Sequence, residues 1–77
     1  MEVKVVFLGV LSEVTGTGTK IYAGVNTSED LRIRLNKDYP ELEHYKYNIA
    51  LNNRLNRSEK TLQDGDEITL FPPFEGG

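Results

Sequence analysis

No cysteine occurs in this 77-residue chain. A disulfide framework, a thiolate nucleophile and a cysteine-ligated zinc site are therefore excluded together. Histidine is almost as scarce. The one copy, His44, stands among Glu41, Glu43 and Lys46 and reads as a solvated side chain, so no metal site is expected. Long apolar runs are missing: nothing approaches the ~20 residues that span a bilayer, and no membrane partner is expected. The apolar stretch 5–11 follows only Glu2 and Lys4 and has no A-x-A cleavage site, so no signal peptide is expected and the cytoplasm is the expected location. Excess positive charge is lacking too. Nine Lys and Arg stand against twelve Asp and Glu, a net charge of −3, which disfavours nucleic acid as the main partner.

What remains is the composition of one globular domain spanning 1–77. Charged residues at 27% and hydrophobic residues at 38% are too apolar for a disordered chain. A chain this short buries about 60–65% of its unfolded surface, enough for a small core but not for a deep catalytic cleft.

The run VKVVFL (3–8) is β-branched and aromatic and predicts a strand. SEVTGTGT (12–19) reads as a turn region, one helical turn and then a glycine loop. Its GTG lacks the third glycine and the strand-to-helix setting of a phosphate loop. KIYAGV (20–25) predicts a second strand, paired with the first as a hairpin. NTSED (26–30) is a helix start, with Thr27 as N-cap and Glu29 and Asp30 in the first turn. The helix runs to about Asp38, where the approach of Pro40 ends it. Leu31 and Leu35 share its inner face, and Arg32, Arg34 and Lys37 read as solvated. YNIALN (47–52) predicts a strand with Ile49 and Leu51 inward. NNRLNRSEKT (52–61) reads as a polar connection interrupted by Leu55. LQDGDEITLF (62–71) is an Asp64-Gly65 turn and a final strand stopped by Pro72-Pro73. The order strand, strand, helix, strand, strand is an α+β domain with one helix across one sheet face.

One helix leaves the other sheet face uncovered, and that face should be polar unless it binds something. Alternation puts Val3, Val5, Phe7, Ile68 and Leu70 inward, with Lys4, Glu67 and Thr69 outward. Yet Val6, Leu8 and Phe71 fall on the outward set, and Leu55 is apolar in a polar stretch. These residues either make a partner surface beside the tail or close the ends of the core, with Phe71 packed on the prolines.

The tail, residues 72–77, reads PPFEGG. Two prolines favour an extended conformation, so these residues reach at most roughly 20 Å from the sheet. Phe74 offers an anchor and Glu75 a charge. Gly76 and Gly77 have no side chains and fit a channel too narrow for other residues. At the average glycine frequency a terminal pair arises by chance in about 0.5% of chains, which speaks against accident. The Gly77 carboxylate is a poor electrophile until an enzyme converts it to an acyl-adenylate, from which sulfide or a thiol can displace the nucleotide.

LQDGDEITLFPPFEGG (62–77), KVVFLGVLSEVTG (4–16) and ALNNRLN (50–56) together resemble the small subunits of molybdopterin synthase, the MoaD-like branch of the MoaD/ThiS sulfur-carrier family. The resemblance covers nearly the whole chain. It implies a ubiquitin-like β-grasp fold: a mixed sheet crossed by one main helix, with first and last strands side by side and parallel. It implies a sulfur donor within a transferase complex, not an enzyme alone. No cofactor would be bound. An E1-like adenylating enzyme would use ATP and Mg²⁺ to activate Gly77, sulfur would be carried there as a thiocarboxylate, and the large subunit would receive the tail in a heterotetramer. Sulfur would pass to precursor Z to form the molybdopterin dithiolene. Gly77 and Gly76 would be the reactive end. Leu8, Leu55, Phe71, Pro72, Pro73, Phe74 and Glu75 would bind partners. Two departures stand out: Ser12 lies where arginine is common in the family, and Phe74-Glu75 is a bulkier, more charged spacer. The rival readings are a thiamine-pathway sulfur carrier, which the Phe71-Pro72-Pro73 run disfavours, a ubiquitin-like modifier joined to lysines through Gly77, and an interaction domain with an inert tail.

Overall fold

Strict alternation in the first strand sets the frame of the molecule. In the computed structural model, which describes residues 1–56 and 60–73, Glu2–Phe7 form β1, with Val3, Val5 and Phe7 buried and Glu2 and Lys4 exposed. Val10–Thr15 then form α1, a six-residue helix where a single turn is expected from the sequence. Glycines punctuate it at both ends: Gly9 (φ +58°) precedes it, and left-handed Gly16 (φ +76°) closes it by donating to the Ser12 carbonyl at 2.9 Å. Leu11 is thereby delivered to the core.

Thr19–Ala23 form β2, antiparallel to β1 with Glu2 opposite Ala23 and Val6 opposite Thr19. The strand ends earlier than its apolar pattern predicts because Gly24 takes φ +78° and Val25 turns into the core. The helix α2, Ser28–Asp38, starts and ends where the sequence places it. Asp30 does more than complement the helix dipole. Thr27 Oγ1 accepts from the Asp30 N–H at 3.1 Å, and Asp30 Oδ2 accepts from the Thr27 and Asn26 N–H groups at 3.1 and 3.0 Å, a complete capping box. Pro40 does not only stop α2. It opens a 3-10 helix, Pro40–His44, that buries Leu42.

Asn48–Leu51 form β3 and Arg54–Asn56 form β4. The expected polar connection is therefore a hairpin. Asn52 and Asn53 both hold positive φ (50° and 72°), the conformation a two-residue turn between twisted strands requires and asparagine tolerates. Glu67–Phe71 form β5, and the sheet order is β2-β1-β5-β3-β4. β5 runs parallel to β1 and antiparallel to β3, so first and last strands are neighbours at the centre. This mixed sheet crossed by one main helix is the β-grasp arrangement. The core joins Val3, Val5, Phe7, Ile68 and Leu70 of the sheet to Leu31 and Leu35 of α2, with Tyr22, Val25 and Leu62 filling its margins and Ile49 and Leu51 packed against it.

The entry to β5 is fixed by the Asp64-Gly65-Asp66 turn. Glu2 N–H donates to Asp64 Oδ1 at 2.7 Å, and Gly65 N–H (φ +86°) donates to the Glu2 carbonyl at 2.8 Å, which ties the turn to β1. On the other side Asn52 Nδ2 donates to Asp66 Oδ1 at 3.0 Å, while Asn52 Oδ1 accepts from the Glu67 N–H at 2.8 Å. One short turn thus sets the register of the central strand against both neighbours.

A second polar cluster fastens α2 to β2. The Tyr22 hydroxyl donates to Asp38 Oδ2 at 2.7 Å, and Lys20 Nζ lies 3.4 Å from the same oxygen and over the Tyr22 and Tyr39 rings. Arg34 is not simply solvated, as its place on the helix predicts. Its guanidinium covers the Tyr22 ring at 5.2 Å and donates to the Ala23 carbonyl at 3.1 Å. The bond from Tyr22, then the charge of Lys20, hold the Asp38 carboxyl below its usual range despite some loss of water. Burial, then the bond to Asp38, push the Tyr22 phenol well above its usual value.

Candidate functional site

The ladder brings together on the outer sheet face residues that lie far apart in sequence. Val6 of β1 stands opposite Thr69 of β5, Thr69 opposite Ala50 of β3, and Ala50 opposite Leu55 of β4. One register step toward the tail, Phe71 faces Asn48, and Leu8 N–H donates to the Leu70 carbonyl at 3.0 Å, which continues the β1–β5 pairing past Phe7. Leu8 is 46% exposed and Leu55 is 52% exposed, while Val6 and Phe71 are half-buried. Neither leucine closes the core; both stand exposed and leave an apolar patch on the outer face. Ala50 and Val6 extend it. Val6 was visible in the outward set, but Ala50 shows only once the register is known.

Beside this face Lys4 Nζ lies 3.8 Å from Glu67 Oε2, a half-exposed pair of small energetic consequence. Among the described residues no group of three or more His, Cys, Asp or Glu is placed to hold a metal ion, and no helix is long and apolar enough to cross a membrane.

The tail begins at the end of β5 and at once meets Gly9. Pro72 is half-buried against it: a Cβ built on Gly9 would stand 3.2 Å from Pro72 Cγ and 3.5 Å from Pro72 Cδ. Pro73 is exposed. The strand-to-helix turn that Gly9 permits therefore seats the first proline and sets where the tail leaves the sheet. Gly9 was not singled out in the sequence. Its one signal was a glycine between the end of an apolar strand and the start of a helix. Phe74, Glu75, Gly76 and Gly77, expected to carry the spacer and the reactive end, lie outside the described residues, as do residues 57–59 of the polar connection.

Taken together, the geometry is an apolar patch on an uncovered sheet face, flanking an anchored base from which a glycine-ended tail departs.

Comparison with known proteins adds a separate observation. The ThiS family model matches residues 5–77. The molybdopterin synthase sulfur carrier subunit of Escherichia coli (strain K12) is 35% identical over 80 residues, spanning 97% of this chain and 99% of that one. The solution structure of small archaeal modifier protein 1 from Methanosarcina acetivorans superposes with a TM-score of 0.85 at 29% identity, covering 99% of this chain and 96% of that one. A protein–protein complex of subunits 1 and 2 of molybdopterin-converting factor from Helicobacter pylori 26695 contains a chain that matches with a TM-score of 0.76 at 31% identity, over 100% of both.

Proposed function

The chain belongs to the ThiS family, and from that footing we propose that it is the sulfur-carrier small subunit of molybdopterin synthase, acting through the carboxyl group of Gly77. The observation that carries this reading is the pairing of the apolar face of exposed Leu8 and Leu55 and half-buried Phe71 with a proline-anchored base to a Gly-Gly tail, in a chain 35% identical to a carrier subunit over nearly its full length.

The chemistry follows from what a terminal carboxylate can do. An E1-like enzyme supplies ATP and Mg²⁺. A Gly77 carboxylate oxygen attacks the α-phosphorus, pyrophosphate leaves, and the carbonyl becomes an acyl-adenylate. A sulfide-level nucleophile then adds to that carbon and expels AMP, leaving a thiocarboxylate. In the synthase the sulfur forms a carbon–sulfur bond on precursor Z, water restores the carboxylate, and a second loaded tail completes the dithiolene. This chain holds no cofactor in that scheme; it carries sulfur covalently. Its own contribution is positional. Gly76 and Gly77 pass a narrow channel, Phe74 and Glu75 fill its mouth, and Pro72 and Pro73 stiffen the approach. The patch of Leu8, Leu55 and Phe71 docks the large subunit, consistent with the two-subunit complex formed by the H. pylori relative. A heterotetramer of two small and two large subunits is the expected assembly.

A second reading has its own support. The M. acetivorans relative is a modifier protein, and its TM-score of 0.85 exceeds the 0.76 of the synthase complex chain. The same activated Gly77 could then be joined to a lysine amine instead of sulfur. Intact mass after incubation with ATP, Mg²⁺, a cognate adenylating enzyme and a sulfur source separates the readings. The carrier gains the mass of an oxygen-to-sulfur exchange, and the gain vanishes when Gly77 is deleted. Gly-Gly remnants on other proteins without that gain would favour the modifier. Capture of a thiazole synthase instead of the large subunit would move the carrier to the thiamine pathway.

A further inference from the structure

A groove of about 580 Å³ opens beside the base of the tail, between α2, the segment following the 3-10 helix, and β3. Pro73 forms part of its wall, and so does Asn48, the residue that faces Phe71 across the β3–β5 ladder. The groove therefore borders the strand end at which the tail begins, on the side of the sheet that α2 covers. A protein that takes the tail from Pro73 onward comes to lie beside this groove.

Its charge is the reverse of the chain's. The protein carries a net charge of −3, yet Arg32 and Lys46 line the groove against a single carboxylate, Glu43. Lys4 pairs with Glu67 and Lys20 with Asp38, while Lys37, Arg54 and Lys60 form no ion pair among the described residues. Among the described residues neither Arg32 nor Lys46 takes part in a hydrogen bond or ion pair, and both are exposed. Tyr47 lies half-buried in the wall. Burial raises its phenol pKa while the Arg32 charge lowers it, so the hydroxyl is a protonated donor within electrostatic reach of the guanidinium. Two unpaired cations, a phenol and an amide offer donors to an acceptor-rich occupant.

We propose that this groove receives an acidic segment, Asp or Glu side chains on a loop or helix end, of the large subunit that takes the tail. The inference rests on the carrier reading above and adds a second contact to it. The apolar patch supplies buried area. The Arg32–Lys46 groove steers and orients the approach, so that the tail enters its channel in one direction.

The test measures affinity and association rate of the full-length protein for its purified large subunit, at low and at high salt. The variants are Arg32→Glu/Lys46→Glu, the neutral Arg32→Gln/Lys46→Gln, and Leu55→Asp on the patch. Charge reversal is expected to weaken binding about tenfold or more at low salt, chiefly through a slower association rate, with the deficit shrinking as salt rises. The neutral pair should fall between wild type and reversal. Unfolding midpoints check that these exposed substitutions leave the fold intact. Wild-type affinity and an unchanged salt dependence in the reversed variant, alongside a clear loss in Leu55→Asp, would overturn the groove and leave the carrier reading standing. If the wild-type chain shows no binding to the large subunit, the carrier reading fails and the groove's occupant fails with it.

Discussion

Gly9 and Pro72 occupy each other's space: a Cβ at position 9 would stand 3.2 Å from Pro72 Cγ, tighter than side-chain carbons normally approach. The contact joins the turn after β1 to the first residue of the tail. Gly9 also holds φ +58° with ψ −137°, a backbone region suited to glycine that costs other residues about 1–3 kcal/mol. Gly9→Ala should therefore lose stability and displace Pro72. Gly16→Ala is the comparison for positive φ without a contact, since Gly16 has φ +76° and ψ +11°, the left-handed helical region, with open space around it. Both variants should lower the urea midpoint, and Gly9→Ala should also impair Gly77 loading. Equal loading by the two variants would mean that the Pro72 contact does not guide the tail.

The patch predicts a separation of binding from stability. Leu55 is 52% exposed, so Leu55→Asp should change the unfolding free energy by no more than about 0.5 kcal/mol. The same change should weaken binding to the large subunit by about 2 kcal/mol or more, the scale of an interface anchor. Calorimetric titration beside thermal melts reads both quantities. Wild-type affinity in this variant would remove Leu55 from the interface.

Asn52 and Asp66 should behave as one unit. Their side chains bond each other at 3.0 Å, Asn52 Oδ1 takes the Glu67 N–H, and Asp66 Oδ2 takes the Gln63 N–H at 2.8 Å. Asn52→Ala and Asp66→Ala should each cost about 1–2 kcal/mol, and the double variant clearly less than their sum. Additive losses in denaturant unfolding would show that the two ties act independently.

The Tyr22–Asp38 bond predicts two pH limbs of opposite origin. The folded-state pKa of Asp38 is lowered, by the Tyr22 bond first and then by Lys20. Its contribution is present above the ordinary carboxylate value near 4 and is lost as pH falls through the lower folded value. The Tyr22 pKa is raised, by burial first, so its contribution is present below about pH 10 and drains away as pH rises above that. Asp38→Asn should flatten the acid limb of a stability–pH curve, and Tyr22→Phe the alkaline limb. Limbs unchanged from wild type would place the pH dependence in other groups.

Much of the fold was legible because local and global signals agree. The Thr27 cap, the period of Leu31 and Leu35, and the alternation of 2–7 and 67–71 each point to the element that forms. The β3–β4 hairpin was not legible. Leu55 has polar neighbours, and an Asn-Asn turn lacks the glycine that usually announces a two-residue loop. The Tyr22–Asp38–Lys20 cluster was hidden for another reason: its members belong to separate elements, and only tertiary packing makes neighbours of them. At the candidate site the outward set of Val6, Leu8 and Phe71 was readable from alternation alone. The place of Ala50 needed the register, and the contact of Gly9 with Pro72 needed the three-dimensional turn.

The central position of β5 bears on how such a protein is made. Its two neighbours, β1 and β3, cannot be bridged until residues 67–71 have left the ribosome, and those residues immediately precede the tail. A chain cut short by premature termination before that point lacks both the reactive end and the strand that completes the sheet. It remains open, exposes its apolar inner face, and is a target for proteolysis. Synthesis itself thereby screens the product: a chain terminated before residue 67 lacks the C-terminal end and the central strand together.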